Sequence, residues 1–216
     1  MKPHSIRIRL LCAAAMSLMI PLGARATALS VSLDTAGLAG QAGSELLFIM
    51  TDGSGTGDGN NTASVSGVGL GGGSLAAVDP FNTFGGFTGD LGSLLTLTDN
   101  SPASGFAEFF TPGATLTFSL NVTSNSDGNG VPDGLFLYLT DPSGNPLPTA
   151  DPTGSDSLFA IDLSGSGTSV SNYDPQFLTI SGPPSGSVPE PGALALLAAG
   201  LSLLGVAGRR RPMNPR

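Results

Sequence analysis

Between residues 29 and 181, glycine, proline, asparagine and aspartate cut the chain into short apolar-alternating runs, and no segment there sustains a helical period. The runs fall at residues 29–33, 46–51, 63–70, 94–98, 106–110, 115–122, 135–140, 158–163 and 177–180. Residues 115–122 alternate cleanly. Successive side chains on a strand point to opposite faces, so Leu116, Phe118, Leu120 and Val122 share the inward one. The stretch from Leu135 to Leu139 is continuously apolar and reads as a central strand buried on both faces. The chain holds 32 glycines and 17 prolines in 216 residues, which weakens helices and supplies turns. About nine short strands in roughly 150 residues predict an all-β domain, a β-sandwich or jelly roll, over residues 29–181. Residues 69–92 are Gly-rich and carry Phe81, Phe84 and Phe87; they read either as a long packed loop or as an added edge strand.

The charges are segregated. All eight basic residues lie near the ends, at Lys2, Arg7, Arg9, Arg25, Arg209, Arg210, Arg211 and Arg216. Residues 27–188 hold fifteen carboxylates and no Lys or Arg, a formal charge of −15 that the whole-chain value of −8 conceals. Such a domain cannot neutralise phosphates, which excludes nucleic acid as a partner. It also has no Lys or Arg for an internal salt bridge. Its carboxylates must be solvated, hydrogen-bonded to the backbone, or paired with cations.

Cys12 and His4 are the only residues of their kinds, and both sit near the N-terminus. A domain without them has no disulfide, no thiolate chemistry, no zinc site and no imidazole catalysis. Its serines have no His to activate them, and there is no Trp to serve as a sugar-stacking platform. Paired carboxylates can hydrolyse glycosides, but fifteen acids make some pair inevitable by chance. The expectation is a protein that is not an enzyme, with a carboxylate-based hydrolase the least favoured reading.

The N-terminus has a basic region with Lys2, Arg7 and Arg9, an apolar run over residues 10–20, and breakers at Pro21 and Gly23. Small residues at Ala24, Ala26 and Ala28 then supply two A-x-A sites. This is the pattern of a secretory signal peptide, residues 1–28, with cleavage expected after Ala28 and after Ala26 as the alternative. The apolar run is too short to span a membrane.

At the other end, residues 182–188 are a Gly/Pro/Ser linker without apolar groups to pack. Pro189, Glu190 and Pro191 follow, then residues 192–208 without a charge, then Arg209, Arg210 and Arg211. As a helix those 17 residues would be about 26 Å long, enough to cross a thin hydrocarbon core. The three arginines resist translocation, so the topology is an exported domain held by its tail from inside. Two prolines around Glu190 keep that segment extended, as a protease requires of its substrate, and the glutamate charge keeps it out of lipid.

Pro-Glu-Pro, a short apolar span and an arginine cluster, in that order, resemble the PEP-CTERM sorting signal. The resemblance covers roughly residues 188–211. It implies an exported protein of a Gram-negative bacterium that makes exopolysaccharide, processed by the membrane-embedded protease-transpeptidase called exosortase. It also implies Pro189, Glu190 and Pro191 as the recognition motif and Arg209, Arg210 and Arg211 as the retention cluster. The implied route is a precursor anchored in the inner membrane, then the cell surface, the outer membrane or release, within an exopolysaccharide matrix or biofilm. Gly130, Val131, Pro132 and Asp133, leading into the apolar run, resemble a segment of uncharacterised β-rich PEP-CTERM proteins that brings no known activity.

Two segments offer oxygen ligands at alternate positions. Asn125, Asp127, Asn129 and Asp133, with Gly128 and Gly130 to let the chain turn, read either as a calcium loop or as a tight turn between strands. No Glu closes the loop at the position an EF-hand requires, so Asp133 would have to do so. Residues 52–61 hold only two carboxylates and favour a plain loop. A calcium-dependent carbohydrate- or protein-binding module is therefore the alternative to a plain surface or matrix component.

Overall fold

The computed structural model of the protein describes residues 25–125 and 130–182. Twelve strands account for most of them: β1 (Arg25–Asp34), β2 (Ser44–Thr51), β3 (Thr62–Gly69), β4 (Ser74–Val78), β5 (Gly86–Thr88), β6 (Leu94–Thr98), β7 (Ala103–Thr111), β8 (Thr115–Ser124), β9 (Asp133–Thr140), β10 (Phe159–Ser164), β11 (Gly167–Asn172) and β12 (Leu178–Ser181). The single helical element among the described residues is a 3-10 turn, Ala36–Leu38. No helix there is long and apolar enough to cross a membrane.

The strands form two six-stranded antiparallel sheets, ordered β12-β1-β8-β3-β6-β5 and β11-β10-β9-β2-β7-β4. The chain passes repeatedly from one sheet to the other, so most sheet neighbours are distant in sequence. Alternation in β8 does what its sequence requires: Leu116, Phe118, Leu120 and Val122 are all buried. Opposite them β1 supplies Leu33, Val31 and Leu29 in register. The second sheet answers with Leu46, Phe48 and Met50 of β2 and Leu135, Leu137 and Leu139 of β9. The two layers meet where Phe48 packs edge-on against Phe118, ring centroids 5.7 Å apart. Each such side chain taken fully from water contributes about 1.5–3 kcal/mol. The buried cluster runs from Leu29 to Leu178.

All nine apolar runs lie on strands. Three strands have no counterpart in the sequence reading: β4, β5 and β11, each at a sheet edge. Residues 69–92 thus supply two edge strands, one to each sheet, rather than a single strand or a loop. The apolar stretch of β9 is interior in its sheet but is not buried on both faces. Leu135, Leu137 and Leu139 face the core, whereas Phe136 and Tyr138 are half-buried on the outer face. A two-layer sandwich has no third layer to cover that face.

β1 begins upstream of both expected cleavage positions. Ala26 and Ala28 are exposed strand residues paired with Thr123 and Asn121 of β8. Its core side chains start at Leu29, so cleavage after Ala28 shortens the strand without removing a core residue. At the C-terminal end of the described residues, β12 pairs with β1, from Leu178 opposite Leu33 to Ser181 opposite Ser30.

Candidate functional site

Four strand ends meet around Asn61. It precedes β3, while Asp99 follows β6, Asn125 follows β8 and Asp133 opens β9. The Asn61 amide N–H donates to Asp99 Oδ2 at 2.9 Å, and its side-chain Nδ2 donates to Asp133 Oδ2 at 2.6 Å. Its Oδ1 accepts the Asn125 N–H at 2.7 Å. Gly53 N–H donates to Asp133 Oδ1 at 2.8 Å. This approach demands glycine, because a Cβ at residue 53 would lie 2.3 Å from the Pro132 carbonyl oxygen. Asp99 is fully buried, and its Oδ1 has no hydrogen-bond donor. Burial, then the neighbouring Asp133 carboxyl, pushes Asp99 up to about 7, against the opposing pull of the Asn61 N–H. A proton shared between the two carboxyls, or a cation, relieves that contact.

Elsewhere the carboxylates are held by backbone and hydroxyl donors, the second of the three fates expected for a domain without basic residues. Asp52 accepts bonds from the N–H groups of Ser54, Gly55, Gly57 and Asp58 and from the Ser54 hydroxyl. Burial opposes its charge, but the Ser54, Gly57 and Asp58 bonds outweigh it and hold the carboxyl below its ordinary value. Residues 52–61 are therefore a loop wound around a carboxylate. Asp151 repeats the device with the hydroxyls of Ser155, Ser157 and Thr153, which hold it well below the usual range. At Asp141 the Asn145 and Ser143 donors do the same.

A third polar group lies on the outer face of the second sheet. Asn82 Nδ2 donates to Asp79 Oδ2 at 2.9 Å and reaches Glu45 Oε1 at 3.4 Å. Glu45 is buried, and burial together with hydrogen bonding to Asp79 raises it above its ordinary value. It opens onto a hollow of about 270 Å³ bordered also by Leu47, Tyr138 and Thr140.

Of the four calcium-ligand candidates, Asn125 and Asp133 converge on Asn61; Asp127 and Asn129 lie outside the described residues. Both oxygens of Asp133 already accept N–H groups, and Asn125 Nδ2 donates to the Asn60 carbonyl at 2.6 Å. Among the described residues, no three acidic, His or Cys side chains gather as metal ligands. Asp99 was not singled out in the sequence, although it directly follows the apolar run at 94–98. The linker beyond residue 182, Pro189, Glu190, Pro191, the apolar span and the arginine cluster also lie outside the described residues.

Fold and site together define an acidic two-sheet β-sandwich that ends, in sequence, at a Pro/Gly/Ser linker. The segment after that linker is matched by the family model of the PEP-CTERM protein-sorting motif, over residues 187–211. That span contains Pro189, Glu190, Pro191 and all three arginines of the cluster. The motif implies export, a membrane-anchored precursor and processing by exosortase, a membrane protease. No curated protein and no solved structure matches the chain.

Proposed function

We propose that the protein is a non-enzymatic component of the cell surface or extracellular matrix of a Gram-negative bacterium, delivered by its sorting motif and associated with exopolysaccharide. One observation carries the reading: the motif follows a β-sandwich that has no His, Cys, Lys or Arg between residues 27 and 188. Glycoside hydrolysis by these two carboxyl pairs is poorly served, since Glu45–Asp79 and Asp99–Asp133 are in hydrogen-bonding contact. Glycosidase carboxyls stand about 5–10 Å apart. Two measurements test the reading. Glu190→Ala should accumulate unprocessed precursor in cells that contain an exosortase; normal processing of that variant removes the delivery step. Turnover of polysaccharide or ester substrates by the purified domain removes the non-enzymatic one.

A calcium-dependent binding module is the second reading, favoured by the buried Asp99–Asp133 pair with its donor-less oxygen. Asp99 and Asp133 would hold the ion, and carbonyl, amide or water oxygens would complete the six to eight that calcium takes. Calcium titration of the domain at about pH 7.5 separates the readings. A rise in melting temperature that Asp99→Asn abolishes supports the module, and no thermal or calorimetric response removes it.

A further inference from the structure

The hollow on the outer face of the second sheet serves no packing need of the sandwich. Its floor is Leu47 and Ile49 of β2 with Tyr138 of β9. Leu47 and Tyr138 are register partners, so they lie side by side on that face. The polar groups gather at one end: Glu45, its register partner Thr140, and Asn82. Thr140 is 5 % exposed, and its hydroxyl has no hydrogen-bond partner. Buried hydroxyls in native folds find partners; this one is closed from solvent, and a rotation of the Thr140 side chain at the wall of the hollow would bring it to a group that arrives from outside.

The walls are pre-set. On one side the turn at residues 141–147 is pinned by Asp141, which accepts the N–H groups of Ser143 and Asn145, and by Leu147 N–H donating to the Leu139 carbonyl at 2.8 Å. On the other, residues 79–84 are laid along β7 by Asp79 N–H to the Ala107 carbonyl and Phe84 N–H to the Gly105 carbonyl, both 2.9 Å. In that segment Phe81, next to Asn82, is 92 % exposed, an aromatic face left in water.

We propose that this hollow binds one ring of an uncharged polysaccharide. The inference rests on the matrix reading above and names its ligand class and site. A sugar ring offers a C–H face to Tyr138 and hydroxyls that both donate and accept. Those hydroxyls satisfy Thr140 and the acceptor oxygens of Glu45 together, and the flanking Phe81 is placed for a neighbouring ring. The volume lies just below the roughly 300–1,000 Å³ of sites for drug-sized ligands, which suits one ring of a longer chain. An anionic polymer is disfavoured because residues 27–188 contain no Lys or Arg and two carboxyls stand at the polar end. A cationic peptide is less suited than a polyol, because Glu45 and Asp79 already share the Asn82 amide and because burial moves Glu45 toward its neutral form.

The test is affinity electrophoresis and calorimetry of residues 25–187, which contain every core side chain of the described residues, with dextran, a β-glucan and a galactomannan, set against alginate and poly-lysine. The expected result is binding to at least one neutral polymer that added salt leaves unchanged. Tyr138→Ala should weaken it at least tenfold and Thr140→Val several-fold, while Thr140→Ser retains it. Circular dichroism confirms that each variant is folded, and Glu45→Gln provides a near-isosteric change should Tyr138→Ala unfold. Neutral-polymer binding that survives Tyr138→Ala, Thr140→Val and Glu45→Gln overturns the site and leaves the matrix reading standing. Binding to alginate or poly-lysine alone, or to no neutral polymer, overturns the ligand class. Failure of the matrix reading itself would show separately, as normal processing of Glu190→Ala or as substrate turnover.

Discussion

Replacing Asp99 by Asn should stabilise the protein at neutral pH, against the usual direction for a fully buried polar residue. The amide carbonyl can keep the bond from Asn61 N–H, and the amide NH₂ would replace the donor-less Oδ1 with a donor beside the neighbouring Asp133 carboxyl. The magnitude follows from linkage. Asp99 is raised from 3.8 to about 7 by burial and by Asp133, so between those values the folded state holds a proton that the unfolded state has released. Stability is therefore full below about pH 3.8 and is lost as pH rises toward 7. At 1.36 kcal/mol per unit the limit is about 4 kcal/mol. Screening and relaxation at a polar strand end reduce it to about 2 kcal/mol. Thermal melts in EDTA at about pH 4, 5.5 and 7.5 read the effect. Asp99→Asn should melt about 4–8 °C above the natural protein at the highest pH and lose that advantage at the lowest. A variant destabilised at pH 7.5, or one whose advantage does not shrink toward pH 4, would refute the reasoning.

Other outcomes follow from the same geometry. Glu45 and Glu108 are also raised, by burial first, whereas Asp52, Asp141 and Asp151 are lowered, so stability should peak near pH 4 and decline on both sides in a urea-midpoint series. Gly53→Ala forces a Cβ against the Pro132 carbonyl and should lower the unfolding free energy by about 1–3 kcal/mol in urea titration. Phe48→Ala empties a fully buried site against Phe118 and should lower it by about 3–5 kcal/mol. Mass spectrometry of the exported protein should find Leu29 as its first residue; a first residue downstream of Leu29 would remove a core side chain and contradict the strand.

The sequence showed strands wherever one face had to be apolar. β8 could be read because its inward residues alternate without exception, and β1, β2 and β9 because they pack against it or face it. Edge strands escape that logic. β11 carries one apolar residue, Val170, which is 38 % exposed, and β4 has no fully buried side chain. Such strands form because a neighbour offers free backbone groups, and their side chains need not record it. The PEP-CTERM motif was readable because contiguous residues carry it. The Asn61 network and the outer hollow were not: Glu45, Asn82 and Tyr138, like Asn61, Asp99 and Asp133, meet only through strand pairing and the segments that flank the strands. The Asp52 segment, read in the sequence as a plain loop, is one; what its composition did not record is that it closes around its own carboxylate.

The place of β12 has a mechanical consequence. It runs from the end of β1 near Leu33 toward the end where Asn61 and Asp99 lie. Glu45 and Thr140 lie at the opposite end of the second sheet from Thr51 and Gly134. A polymer gripped there and a tether at the C-terminus would pull on β12 along its own axis. In an antiparallel pair the hydrogen bonds stand perpendicular to the strands, so they would resist such a pull together rather than open one by one. Single-molecule stretching should show one abrupt rupture when load follows this axis and a gradual opening when β12 is drawn sideways. A short edge strand, weak when peeled, would then be a shear joint.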